Sequence, residues 1–278
     1  MNLLQAILLG VVEGLTEFLP VSSTGHLTIV EKLLGMQVNA VGVTAFTAII
    51  QVGAIIAVIV YFWRDIVRLI SAWVRGLVNA EARKETDYRL AWYVIIGTIP
   101  IGIVGFLGRH FITDTLRSLW VVVAGLLVWS VVMVVAEIVG KKRRPEGDLN
   151  LTDAIVIGLV QCIALVPGVS RSGATISAGL FRGLNRVAAT RISFFLAIPA
   201  LVAAGAFEAA TSAKAISSTV GWMPTLVATV VSFIVAYASI AWLLRLVARH
   251  PISVFVAYRV VVALLVAGLL LSGILSAT

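Results

Sequence analysis

Apolar residues run along this chain in long, nearly unbroken blocks rather than in the half-polar patterns of a water-soluble core. Blocks near or above the ~20 residues that cross a ~30 Å hydrocarbon layer fall at about 42–62, 90–108, 118–138, 186–206, 222–244 and 252–275, which predicts six transmembrane helices. Two further stretches behave differently. "AILLGVVEGLTEFLPVSSTG" (Ala6–Gly25) and "AIVIGLVQCIALVPGVSRSG" (Ala154–Gly173) each hold about ten apolar residues, then polar residues with proline and glycine, then apolar residues again. Their apolar runs are too short for a crossing. Exposed backbone at membrane depth survives only where protein or a water-filled cavity satisfies it, so each stretch reads as a re-entrant helix-turn-helix.

The two stretches are copies of one pattern at an offset of 148 residues, with Ala6, Gly10, Val21, Ser22 and Gly25 meeting Ala154, Gly158, Val169, Ser170 and Gly173. Glu13 meets Gln161, Ser23 meets Arg171, and the same offset pairs Phe46 with Phe194. Each half then holds one re-entrant hairpin and three spans. Three is odd, so the second half starts from the opposite side of the membrane. The chain reads as one all-α polytopic membrane domain, 1–278, built from inverted repeats at 1–140 and 149–278. In that plan two broken elements enter from opposite faces and meet near the bilayer midplane.

Composition agrees: 60% of the 278 residues are hydrophobic and 12% charged, against roughly 25% charged in soluble domains. A net charge of +8 could point to nucleic acid, but the basic residues sit at the ends of apolar runs and form no face with interleaved aromatics. Membrane topology accounts for them. Arg64, Arg68, Arg75, Arg83, Lys84 and Arg89, then Lys141 to Arg144, then Arg245 and Arg249 share one side of the six-span plan, which the positive-inside rule makes cytoplasmic. Arg109 and Arg117 on one outer loop and Lys214 on another are a weaker load, so both termini are expected outside. The lone Cys162 can form no internal disulfide, leaves the redox compartment open and reads as a core thiol. The first apolar run lacks a basic leader and a cleavage site and contains two glutamates, so it is read as mature protein.

The chemistry gathers in the two broken segments. Glu13 and Glu17 stand four apart on one helical face, where like charges repel, and carboxylates at membrane depth usually mark function. Either they share a proton, or a cation or basic residue sits beside them. The bland alternative is a solvated acidic surface helix. Pro20 ends the first helix and Gly25 eases the turn. Ser22, Ser23 and Thr24 bring hydroxyls to the start of the next half-helix, where backbone N–H groups can hold a phosphate, although Ser and Thr also serve there as ordinary caps. His26, one of three histidines, follows these hydroxyls and suits general acid–base work. His110 and His250 read as loop residues.

In the second tip Arg171 stands among Ser170, Ser172, Gly173 and Thr175. Arginine forks match phosphate oxygens, and this is the sharpest phosphate signal in the chain. A bridge to Glu17 that merely joins the hairpins is the alternative. Arg182, Arg186 and Arg191 read as topology determinants, and Glu137 and Glu208 as span ends. Arg259, about eight residues into the last run, could snorkel, pair internally or meet an anionic lipid. Gln51 could line a cavity or bond between helices.

"EGLTEFLPVSSTGHL" and "LVPGVSRSGATISAGL" resemble the two signature segments of the bacterial undecaprenyl pyrophosphate phosphatases, integral membrane proteins linked to bacitracin resistance. The resemblance implies removal of the terminal phosphate of undecaprenyl pyrophosphate, recycling the lipid that carries cell-wall precursors, at the outer side of the cytoplasmic membrane. It implies that Glu13 and Glu17 are the acidic motif, that Ser23 and His26 belong to a first catalytic loop, and that Arg171 with Ser170, Ser172 and Thr175 forms a phosphate-binding segment. Two routes stay open. Ser23 could attack with help from His26, or water could attack directly, oriented by His26 and Glu17, with Mg²⁺ or Ca²⁺ between carboxylates and pyrophosphate. The prenyl lipid and membrane lipids are the expected partners, with a second copy of the chain as a further candidate. The competing class is a transporter or flippase of a lipid-linked phosphate, because inverted repeats with broken helices are a common transporter plan.

Overall fold

The two broken segments begin on the same local signal. Asn2 caps α1 (Leu3–Thr16) by accepting from the Gln5 N–H at 2.8 Å, while Gln5 answers the Asn2 N–H. Asn150 and Asp153 do the same for α7 (Leu151–Gln161). Such boxes satisfy orphan donors at a helix start. α1 stops at Thr16, four residues before Pro20, because proline lacks the N–H that would bond the Thr16 carbonyl. A turn then leads into α2 (Ser23–Leu33), and after α7 a 3₁₀ turn, Cys162–Leu165, and a short loop lead into α8 (Arg171–Phe181).

The structure is a computed structural model and describes residues 1–38, 41–108, 116 and 118–277, with the side chains of residues 41 and 208–219 outside the description. Arg109, His110 and Arg117 lie outside the described residues, as do the side chains of Glu208 and Lys214. The remaining helices are α3 (Val41–Tyr61), α4 (Trp63–Val78), α5 (Thr86–Leu107), α6 (Leu119–Val139), α9 (Arg186–Thr219), α10 (Trp222–Val247) and α11 (Val254–Leu271). Six of them, α3, α5, α6, α9, α10 and α11, are long and apolar enough to cross a membrane. α1 and the α7 region are apolar but shorter. The fold is all-α, and among the described residues the β pairing is a single isolated bridge between Arg144 and Leu184.

Each broken segment packs on a span of the other half: α1 lies along α10, and α7 lies along α5, while α3 and α9 cross between them. Gly10 and Gly158 make this approach possible. A Cβ at Gly10 would sit 2.5 Å from the Ala228 carbonyl oxygen, and one at Gly158 would sit 2.4 Å from that of Gly97. Only glycine admits backbone this close.

Residues 63–78, read from sequence as part of a basic loop, form a helix. Trp63, Val67, Ile70, Val74 and Leu77 make an exposed apolar stripe, while Leu69, Ala72 and Gly76 face the protein. The stripe follows helical spacing, a pattern that the run of arginines masks. The arginines before the fourth span are ion-paired. Asp153, fully buried, takes Arg144 at 2.6 Å and Arg182 at 2.7 Å. Burial pushes the Asp153 carboxyl up, and the hydrogen bonds from Arg144 and Arg182 outweigh it, leaving its pKa below the usual aspartate value. Arg186 bonds Glu137, and Arg191 bridges Asp65 and Glu146 while lying over the Phe62 and Phe195 rings.

Candidate active site

α2 and α8 each start on a serine cap with an unusual backbone. Ser22 has φ 77° and Ser170 has φ 77°, a left-handed setting that costs a non-glycine residue about 1–3 kcal/mol. The caps offset part of that cost. Ser22 Oγ accepts from the Gly25 N–H at 3.4 Å and from the Gly168 N–H of the other loop at 3.1 Å. Ser170 Oγ accepts from the Gly173 N–H at 3.2 Å and lies 3.1 Å from Ser172 Oγ, which donates to the Leu19 carbonyl at 2.9 Å. The two turns are therefore stitched to each other, by Ser22 from one side and from the other by Ser172 with a longer contact of Ser170 Oγ to the same Leu19 carbonyl at 3.5 Å.

Arg259 completes the stitching. It is fully buried, and it donates from Nη1 to the Pro20 carbonyl at 2.9 Å and from Nη2 to the Gly168 carbonyl at 2.9 Å. Its Nε donates to Ser130 Oγ at 3.0 Å. Among the three roles left open for it, the internal one is observed, through carbonyls rather than a carboxylate. Pro20 and Gly168 are themselves equivalent positions at the 148-residue offset.

Between the turns lies the polar cluster. Glu17 is the centre: Oε2 accepts from Ser23 Oγ at 2.5 Å, and Oε1 accepts from Arg171 Nη2 at 2.8 Å. The Arg171–Glu17 bridge anticipated as a purely structural contact is present, yet it uses one arm of the guanidinium. Arg171 Nη1 is buried without a hydrogen-bond partner, and so is Glu13 Oε1. A buried donor and a buried acceptor left open in one cluster are costly. Their presence is what a ligand site requires. Thr175, fully buried, donates to Ser193 Oγ at 2.7 Å and so fixes α8 on α9.

His26 takes partners away from Ser23. Its Nδ1 lies 2.8 Å from the Ser22 carbonyl oxygen and its Nε2 2.8 Å from the Tyr258 hydroxyl. Ser23, Thr24 and Glu13 line a cavity of about 410 Å³ together with Glu31, Thr47 and Gln51. Gln51 thus lines the cavity, the first of its two anticipated roles. Glu31, Tyr258 and the clamp formed by Arg259 were not anticipated. Glu31 left one trace, a carboxylate in the last turn of α2. Tyr258 left none.

Six membrane-length helices and a part-buried cluster of Glu17, Ser23 and Arg171 define an all-α polytopic membrane protein whose two broken segments meet at polar side chains. The family described as "Bacitracin resistance protein BacA" matches residues 6–265, and the chain belongs to that family. It is 58% identical over 277 residues to a protein of Acidothermus cellulolyticus named undecaprenyl-diphosphatase, with all of both chains covered. It is 57% identical over 278 residues to undecaprenyl-diphosphatase 3 of Frankia casuarinae, again over all of both chains. A Corynebacterium diphtheriae protein named undecaprenyl-diphosphatase is 48% identical, with 98% of this chain and 96% of that one covered.

Proposed function

We propose that the chain is a membrane phosphatase that hydrolyses undecaprenyl pyrophosphate to undecaprenyl phosphate and inorganic phosphate, returning the lipid carrier to cell-wall synthesis. The family and the full-length relatives named for that reaction support it. The observation that carries it in this chain is the shared Glu17 carboxylate, which holds a serine hydroxyl on one oxygen and an arginine with a free arm on the other.

In this reading Glu17, which holds the Ser23 hydroxyl, activates Ser23 in place of His26. As Ser23 Oγ attacks the terminal phosphorus, its proton passes along the existing hydrogen bond to Glu17 Oε2. Arg171 Nη1 and the N–H groups opening α2 meet the charge on the equatorial oxygens. The bond to the lipid phosphate breaks; water then attacks the phosphoserine, and as the phosphorus–Ser23 bond breaks the protonated Glu17 returns its proton to Ser23 Oγ. A divalent cation fits beside this cluster: Glu13 Oε1 has no partner and Glu31 lines the same cavity. Among the described residues no three His, Cys, Asp or Glu form a complete metal site, so a cation there would have to draw its other ligands from water and phosphate oxygens. Glu13 would hold it, and bound there it would neutralise charge on the pyrophosphate.

The equal placement of caps, glycines and helix starts supports two re-entrant inverted halves. The cavity wall from Thr47 and Gln51 of α3 and Gly205 of α9 lies in the helix halves away from Arg64 and Arg186. With those basic ends cytoplasmic, the site opens toward the outer leaflet, and the headgroup reaches it sideways while its tail stays in lipid.

Phosphate release from undecaprenyl pyrophosphate by purified protein in detergent tests the reading. Wild type releases phosphate, while Glu17→Ala and Arg171→Ala lose about 10³-fold. Full activity in Arg171→Ala overturns the site assignment. Movement of uncleaved lipid across vesicles without phosphate release would favour transport.

A further inference from the structure

Both nitrogens of His26 are engaged. The Ser22 carbonyl can only accept, so the proton on that side belongs to Nδ1. Nε2 then either accepts from the Tyr258 hydroxyl, when the ring is neutral, or donates to it, when the ring is protonated. A hydroxyl serves either way, so His26 can gain and lose a proton without losing a hydrogen bond. What it lacks is an open nitrogen for the substrate.

Tyr258 supplies the missing reach. It is 48% exposed and lies on the α11 stripe with Val254, Val261 and Leu265, the face this span presents outward to lipid. Its hydroxyl turns inward onto His26, and the next residue, Arg259, clamps both site turns. On the phosphatase reading, which this inference rests on, the leaving group is the phosphate that carries the prenyl tail. It departs on the lipid side, where a proton donor is needed and where Ser23 and Glu17 are already committed to the attack.

We propose that Tyr258 is a further catalytic residue, relaying the His26 proton to the leaving lipid phosphate. As the Ser23 Oγ–phosphorus bond forms, the bridging P–O bond breaks and its electron pair stays on the prenyl phosphate oxygen. That oxygen takes the Tyr258 hydroxyl proton. Tyr258 Oη takes the Nε2 proton of protonated His26, leaving His26 neutral with Nδ1–H still on the Ser22 carbonyl. Water reloads the imidazole when the phosphoserine is hydrolysed.

Tyr258→Phe keeps the ring and the lipid-facing stripe and removes only the relay oxygen. Expected with undecaprenyl pyrophosphate is a fall in kcat of about 10²-fold, with KM within about twofold. In a His26→Gln background the same change costs nothing more, because the relay has no proton to pass. Wild-type kcat in Tyr258→Phe, or losses that simply multiply across the two backgrounds, overturns the relay. ¹⁵N-histidine spectra, with the His26 signal assigned by its absence in His26→Gln, are expected to show the proton on Nδ1 in the neutral ring. A proton on Nε2 overturns the hydrogen-bond assignment. A wild type that releases no phosphate removes the reaction and the relay together, whereas an intact phosphatase with an unaffected Tyr258→Phe removes the relay alone.

Discussion

The turn at residues 17–22 and the turn at residues 162–170 share the way they begin and end and carry opposite chemistry. Each follows a helix started by an asparagine box, and each ends in a serine at φ 77° capping the next helix. At equivalent places the first carries Glu13, Glu17, Ser23 and His26, while the second carries Gln161, Leu165, Arg171 and Ala174. The acids and the hydroxyl that Glu17 holds come from one copy, and the fixed positive charge from the other. Neither copy is a site alone. A symmetric pair would set carboxylate against carboxylate or arginine against arginine, and like charges in low dielectric repel strongly. Divergence of the two copies turns that repulsion into the Arg171–Glu17 attraction.

Exchanging the copies' chemistry should do the most damage. The double variant Ser23→Arg with Arg171→Ser keeps both residues at first helical positions behind their serine caps, so helicity and melting in detergent should change little. Phosphate release should fall by more than about 10³-fold, because the arginine then displaces the hydroxyl that Glu17 holds. Comparable turnover would show that the backbone, rather than the placement of charge, makes the site. Ser23→Ala comes next, with a loss of at least about 10²-fold. It removes the hydroxyl and leaves the Arg171–Glu17 bridge in place. Near-normal turnover there would sink the phosphoserine route.

The spans and the two broken segments were readable because long apolar blocks and a 148-residue offset are one-dimensional signals. The bridge from Arg171 to Glu17, the alternative reading that the inverted-repeat plan allows, is present. Other features depend on three-dimensional neighbours. Arg259 announced itself as a charge in an apolar run, yet its partners are carbonyls, which every residue has. Tyr258 looked like any aromatic in a span. Sequence neighbours put His26 with the hydroxyls beside it, but at the fourth helical position its ring turns back to Ser22 and outward to α11. The α4 helix hid behind its arginines, and Asp153 behind its role in an asparagine box.

The serine caps separate the copies more gently. Ser22 Oγ holds an amide of the other loop as well as its own helix, whereas Ser170 Oγ holds its own helix and leaves the Leu19 carbonyl mainly to Ser172. Replacing a serine cap by alanine costs about 1 kcal/mol, and the crossing bond adds about 1 kcal/mol more. Ser22→Ala should therefore destabilise more than Ser170→Ala in chemical unfolding. Equal losses would mean that the Ser22–Gly168 bond contributes no more than the contacts of Ser170 Oγ to Leu19 and Ser172.

The smallest effect should have the opposite sign. Gln161 stands where the first copy has Glu13, fully buried, and neither its Oε1 nor its Nε2 has a hydrogen-bond partner. An amide buried unpaired costs free energy that a similarly sized apolar side chain does not. Gln161→Leu should raise stability by about 1 kcal/mol and leave phosphate release intact, whereas Glu13→Leu, at the same register, should abolish most of it. Glu13 is open toward a cavity that also holds Ser23, which gives its unpaired oxygen a use; Gln161 has no such outlet among the cavity's lining residues. If Gln161→Leu instead lost activity as severely as Glu13→Leu, the second segment would contribute chemistry beyond Arg171, and its amide would belong to the site as the missing partner of a bound group.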